Sequence, residues 1–268
     1  MAEQDQNPLE TIKGVKCFVL DMDGTIYLGD RLFPFTLAFL KGLADKGKEY
    51  CFFTNNSSKN AAAYLDKLKK MSIFIPHGRM MTSNQVIIRH ILLKYPQKKV
   101  YVVGTPFLLE DFEKAGIKLV NDTSADLTVL GFDTSLTYEK LRVCCDIVRA
   151  GKPILGVNPD FNCPVEKGFI PDCGAMARLV EASTGVLPEF FGKPSSHTLE
   201  YIIEKTGCPE EDLCFVGDRL YTDIAITKNR KCLSVLVLTG ETKREETANS
   251  PFRPSIIAES VSELLGLL

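Results

Sequence analysis

Short β-branched, aromatic and aliphatic runs alternate along this chain with amphipathic segments of helical period. That alternation constrains the fold more than any other feature, because it specifies repeated βα units around a parallel sheet. Lys16-Cys17-Phe18-Val19-Leu20 reads as a buried strand and runs straight into Asp21-Met22-Asp23-Gly24-Thr25. A helix is expected over Leu37 to Ala44, stopped by Lys46-Gly47-Lys48. Glu49 to Phe53 is the next strand, ending in Thr54-Asn55-Asn56-Ser57-Ser58. Ser57 or Ser58 is expected to cap the helix that runs through Lys70, in which Tyr64, Leu65 and Leu68 recur at helical spacing. A third strand near Met80-Met81 leads into a helix through Leu93.

The middle of the chain has its own texture. Val100 to Val103, Leu127 to Leu130 and Pro153 to Val157 read as strands, separated by helices near Pro106–Lys114 and Tyr138–Arg149. They make a separate α/β layer pair of about 90 residues, within the usual domain range. The first pattern is expected to resume after Gly185-Val186-Leu187-Pro188. Phe190-Phe191 leads to Gly192-Lys193-Pro194, a helix follows from Ser196 to Lys205, and strand Leu213 to Val216 leads to Gly217-Asp218. A last strand covers Leu233 to Leu238.

Composition excludes several classes of function. A formal net charge of -2 over 268 residues gives no large electrostatic attraction for nucleic acid or an anionic membrane. Nine cysteines, an odd number without a C-x-x-C pair, argue against a disulfide framework or a zinc site. Cys144-Cys145 is expected half-buried on a helix. Met1 to Gln6 is polar without a basic leader, and no apolar run approaches the ~18 residues of a membrane span. A reducing cytoplasm is the expected compartment, where the sequons at Asn55, Asn56 and Asn121 carry no glycan.

Open parallel sheets bind ligands outside the carboxyl ends of their strands. Four polar clusters fall at strand ends: Asp21/Asp23, Thr54/Asn55, Lys193 and Asp218/Asp223. Each alone has a plain structural role as turn, cap or helix-dipole partner. Gly192-Lys193 is no Walker loop, because the upstream glycine is missing. Together they describe a site. Residues i and i+2 of an extended strand share a face, so Asp21 and Asp23 are expected to share a pocket while Met22 turns into packing. Asp21 can serve as nucleophile, and Asp23 can protonate a leaving oxygen and then deprotonate water. Carboxylates gathered this closely repel one another and any phosphate. An oxygen-only donor set without histidine suits Mg2+. Lys193, the Thr54 hydroxyl and neighbouring backbone N–H groups suit the oxygens of a phosphoryl group in transfer.

In these residues the chain resembles the haloacid dehalogenase-like (HAD) hydrolase superfamily. Asp21-Met22-Asp23-Gly24-Thr25, Thr54, Lys193 and Gly217-Asp218-Arg219-Leu220-Tyr221-Thr222-Asp223 match its four motifs in order. Tyr27 to Arg31 is similar to its β-flap, with Gly29-Asp30 as the turn. Thr54 to Ser58, Asn158-Pro159-Asp160, Ala182 to Gly185 and Val237 to Gly240 resemble the NagD / 4-nitrophenylphosphatase-like subfamily with a C2-type cap. The resemblance implies an α/β fold: a three-layer Rossmann-like parallel-sheet core (residues 1–95 and 188–268) with an inserted smaller α/β cap domain (96–187). It implies phosphomonoester hydrolysis through an aspartyl-phosphate. Asp21 would be nucleophile and metal ligand, and Asp23 general acid/base and a ligand through its carbonyl. Asp218 and Asp223 would complete the Mg2+ site, and Thr54, Asn55, Asn56 and Lys193 would hold the phosphate. An acid at Asp23 separates the chain from dehalogenases, which lack one there. Ile226 departs from the glycine of many relatives and is expected to face packing.

The partner implied is a small phosphorylated metabolite, with no nucleic acid and no membrane; a homodimer is left open. Asn158, Asp160, Phe161, Asn162, Cys163 and Glu166 form a loop that either contacts substrate or is an ordinary turn. His77, His90 and His197 read as isolated, with His197 at a surface helix position. A phosphotransferase or mutase would use the same phospho-aspartate, and a non-enzymatic phospho-receiver combines similar residues. The order of the motifs and the inserted cap count against the receiver.

Overall fold

The computed structural model of the chain describes residues 7–165 and 167–268; Met1–Gln6 and the loop candidate Glu166 lie outside the described residues. In chain order the elements are α1 (Pro8–Gly14), β1 (Cys17–Leu20), β2 (Tyr27–Leu28), β3 (Arg31–Leu32), α2 (Thr36–Asp45), β4 (Glu49–Thr54), α3 (Ala61–Lys70), β5 (Met80–Thr82) and α4 (Ser83–Lys94). Next come β6 (Lys99–Val103), α5 (Pro106–Lys114), β7 (Lys118–Leu119), β8 (Leu127–Leu130), α6 (Tyr138–Arg149), β9 (Ile154–Gly156), β10 (Asn162–Val165), β11 (Gly168–Pro171) and α7 (Cys173–Thr184). The chain closes with β12 (Glu189–Phe190), α8 (Ser196–Thr206), β13 (Leu213–Gly217), β14 (Leu233–Val237) and β15 (Ile256–Ala258).

Two parallel sheets organise these elements. The first has the order β15-β14-β13-β1-β4-β5, and the second β12-β9-β8-β6-β7. In the first, Leu20 pairs with Val216 on one side and Phe52 on the other, both in parallel register. All four residues of β1 and all five of β13 are buried, the continuous apolar pattern of strands covered on both faces. Phe18, Phe52 and Phe215 are fully enclosed, each worth about 1.5–3 kcal/mol against exposure. The second sheet packs Val103, Leu130 and Phe132 with Ile147 of α6 and Ala177 and Val180 of α7. The β2–β3 hairpin turns at Gly29, whose φ of 57° places it in the left-handed region. The expected α/β class and parallel sheets are present.

By compactness the chain divides into two units. One comprises the described residues up to Phe53 with Lys69–Met80 and Leu199–Leu268; the other comprises Thr54–Leu68 and Met81–Thr198. Two local expectations are corrected. Asn60, not Ser57 or Ser58, caps α3: its Oδ1 accepts from the Ala63 N–H at 3.0 Å. Ser57 is buried and spends its hydroxyl elsewhere, donating to Asn158 Oδ1 (2.8 Å) and accepting from Phe132 N–H (2.8 Å). The segment after Pro188 does not return directly to the first sheet. β12 instead extends the second by pairing with β9, Phe190 against Gly156, and the ladder continues as Gly192 N–H donates to Val157 C=O at 2.7 Å. Gly156 makes room for this strand, since a Cβ there would stand 2.5 Å from the Phe190 ring.

Candidate functional site

β1 lies at the point where strand order reverses. The chain moves from it to β4 on one side, and β13, β14 and β15 fill the other. Such a switch point opens a crevice at the carboxyl ends of the strands, and Asp21 follows β1 there as Asp218 follows β13. The Asp21 N–H continues the ladder by donating to Val216 C=O at 2.8 Å, which holds the two strand ends level. Beyond Asp218 the backbone forms a wide π-type turn over Leu220–Ile224 and a tight turn over Ala225–Thr227. That turn brings Asp223 back to the strand end, where its Oδ2 accepts from Arg219 N–H at 3.1 Å. Ile226 is buried, as a packing position requires.

Asp21, Asp218 and Asp223 each present a carboxylate oxygen, and these oxygens lie within 4.8 Å of one another. Asp218 and Asp223 are 2 % exposed, so water screens their repulsion poorly. Burial pushes the Asp218 carboxyl well above the usual carboxylate range; Arg219 opposes that shift, and Asp21 and Asp223 reinforce it. One Asp218 oxygen, Oδ2, accepts from Glu241 N–H at 2.6 Å, whereas the buried Oδ1 has no hydrogen-bond partner. An orphaned buried carboxylate oxygen beside two other carboxylates fits a hard divalent cation. The Asp23 side chain is not in this trio; its Oδ1 accepts from Gly29 N–H at 3.4 Å, which ties it to the hairpin turn. Met22 is packed in the core, as expected.

Glycines hold the space around these acids. A Cβ on Gly24 (φ +86°) would lie 2.5 Å from Asp218 Oδ2, and one on Gly240 would overlap the same oxygen outright. Gly240→Ala is therefore expected to displace Asp218 and weaken divalent-cation binding by at least about tenfold, on the scale of losing support to a metal ligand. Titration of the purified variant with Mg2+, followed by calorimetry, checks this; unchanged affinity would contradict the cradle.

The other expected site residues lie in the second unit. Thr54 and Asn55 are 7 % and 6 % exposed, and Lys193 is 2 % exposed, while Asn56 is half-buried. Thr54 Oγ1 accepts from Asn56 N–H at 3.1 Å, closing the loop that leaves β4. Asn55 lies against Lys193: Oδ1 accepts from the Lys193 N–H at 2.8 Å, and Nδ2 donates to the Lys193 carbonyl at 2.9 Å. The same Nδ2 donates to Asp160 Oδ2 at 2.8 Å. Asn158 Nδ2 donates to Asp160 Oδ2 and Asp172 Oδ1, both at 3.0 Å. Asn158 and Asp160 are thus buried polar anchors, while Phe161 of the same loop is exposed.

Sequence reasoning missed this network because its members are scattered and each reads singly as a turn residue. It also missed a ring cluster in the same unit. His90 and His197 are not isolated: the His90 ring lies 4.4 Å from Phe191 and 5.0 Å from His197, and His197 stacks on Phe191 at 4.7 Å. Burial and His197 together push the His90 imidazole down. All nine cysteines are free thiols, as expected. Cys144 and Cys145 are fully rather than half buried, and burial pushes the Cys144 thiol up to about 12. Among the described residues no helix is long and apolar enough to cross a membrane.

Residues 18–118 match the family description "Haloacid dehalogenase-like hydrolase", and residues 190–264 match a second, HAD-hydrolase-like description. The chain is 33% identical over 252 residues to the 5'-nucleotidase YutF of Bacillus subtilis, covering 94% of this chain and 98% of that protein. It is 32% identical over 257 residues to an acid sugar phosphatase of Staphylococcus aureus, covering 96% and 99%. A solved 4-nitrophenylphosphatase of Thermotoga maritima superposes with a TM-score of 0.90 at 41% identity, covering 96% of this chain and 98% of that one.

Proposed function

We propose that this chain, which belongs to the haloacid dehalogenase-like hydrolases and within them to the NagD / 4-nitrophenylphosphatase-like branch, is a Mg2+-dependent phosphatase of small phosphorylated metabolites. The observation that carries this reading is the trio Asp21, Asp218 and Asp223 at the switch point of the parallel sheet, with the buried Asp218 Oδ1 lacking a partner. The relatives' names add support, since they are a nucleotidase, a sugar phosphatase and an aryl phosphatase.

The carboxylates of Asp21, Asp218 and Asp223, with the Asp23 main-chain carbonyl, would hold the cation. When bound, Mg2+ supplies positive charge that offsets the acids and the phosphate oxygens. Asp21 attacks phosphorus, forming an aspartyl-phosphate as the bond to the substrate's ester oxygen breaks. Asp23 gives its proton to that departing oxygen, so the product leaves as an alcohol. Asp23, now a carboxylate, takes a proton from water as the water oxygen bonds to phosphorus. The bond to Asp21 then breaks, and inorganic phosphate leaves. Thr54 through its hydroxyl hydrogen, the loop Asn55-Asn56 through the main-chain N–H of Asn55, since that of Asn56 bonds Thr54 Oγ1, and the Lys193 ammonium hold the phosphate. Residues 96–187 form the cap that selects the substrate, and the enzyme works in the cytoplasm.

A phosphate-release screen over sugar phosphates, nucleoside monophosphates, glycerol phosphate and pyridoxal phosphate tests the reading, ranked by kcat/KM because specificity resides in that ratio. Release with Mg2+ and loss with chelator is the expected result. No release from any member or from an activated aryl phosphate would overturn it.

A further inference from the structure

We infer that the Asn55 side chain does not bind phosphate but is a positioning residue: it clamps the main chain of Lys193 and is itself held by Asp160. The inference rests on the reading of Lys193 as a phosphate-holding cation and assigns a role to the cap-loop acid. A carboxamide has two donor hydrogens and one acceptor oxygen. In Asn55 both hydrogens are spent, one on the Lys193 carbonyl at 2.9 Å and one on Asp160 Oδ2 at 2.8 Å. Its oxygen accepts from the Lys193 N–H at 2.8 Å. No donor is left for an anionic oxygen, and the one remaining lone pair would repel it.

The clamp is two-pointed. One amide plane meets both polar groups of a single residue, as a strand neighbour would, and so sets the direction from which the Lys193 side chain departs. Gly192 is bare for this purpose, since a Cβ there would lie 2.6 Å from Asn55 Oδ1 and 3.0 Å from the Val157 carbonyl. The hold on Asn55 comes from 105 residues away, where Asp160 is 1 % exposed and also accepts from Asn158. Burial makes each of these bonds expensive to break, because the partners cannot turn to water.

A double-mutant cycle on the full-length enzyme with Mg2+ and an aryl phosphate tests the inference. Lys193→Ala and Asn55→Ala are each expected to lower kcat/KM, with displacement of about 1 Å at the lysine worth about 10²-fold. In the Lys193→Ala background, Asn55→Ala should cost less than about twofold more, because the group it positions is already gone. Asp160→Ala, which removes the oxygen that accepts from both Asn55 and Asn158, should reproduce a partial loss that also vanishes in the Lys193→Ala background. It serves if Asn55→Ala fails to fold. A full multiplicative loss in the double variant overturns the inference alone, since both a direct phosphate contact and general loosening predict it. Full activity of Lys193→Ala overturns the reading of the lysine and the inference with it.

Discussion

Asp21→Asn is expected to release phosphate from an activated aryl ester at least about 10⁴-fold more slowly than the native chain, the scale seen when a covalent nucleophile is removed. The substitution is isosteric, and the backbone bond from residue 21 to Val216 does not involve the side chain. The fold should therefore survive. The variant should if anything be more stable, because one of three mutually repelling carboxylates becomes neutral beside the buried Asp218. Activity and thermal unfolding measured on one preparation separate the two effects. An Asp21→Asn protein within tenfold of native turnover would remove Asp21 from the chemistry and leave the trio as a cation site only.

Mg2+ is expected to raise the unfolding temperature, and Asp218→Asn to abolish that rise. A ligand at 100 times its dissociation constant stabilises the folded state by about 2.7 kcal/mol. For a domain of ~150–250 residues this corresponds to roughly 5–10 °C. Chelator should return the protein to its metal-free value. In Asp218→Asn the metal-free protein should unfold no earlier than the native one, because burial already disfavours the charge that the substitution removes. Equal unfolding temperatures with and without Mg2+, or a shift that persists in Asp218→Asn, would contradict the assignment of these acids to a cation.

What was legible in the sequence was whatever depends on neighbours in the chain. Strands β1, β4 and β13 announce themselves through their buried apolar runs, and the polar residues at their ends, acids after β1 and β13 and Thr54-Asn55 at β4, follow from the same reading. α5 and α6 were placed at their observed bounds because periodicity is local. The membership of β12 was not legible: a two-residue strand has no period, and its partner Leu155-Gly156 lies over 30 residues upstream. Nor was the clamp on Lys193, whose two halves are 138 residues apart and belong to residue types that usually make turns. The cap of α3 is not legible either: Ser57 and Ser58 read as caps, and the structure gives the role to Asn60. Ser57 and Asn60 can both cap, and the choice was decided by Asn158 and Phe132, which claim the serine.

The central place of β1 also bears on how the protein is made. Its two flanking strands are β4, which follows within about 30 residues, and β13, whose pairing partners lie about 200 residues downstream. A ribosome adding ~5–20 residues per second needs about 10–40 s to deliver β13 after β1 has emerged. Throughout that interval a wholly apolar strand keeps one edge open to any other extended chain, the condition that favours aggregation. Stalling or truncation before Leu213 should thus produce insoluble nascent chains, and yield in cells should depend on chaperone capacity more than the stability of the finished protein would suggest.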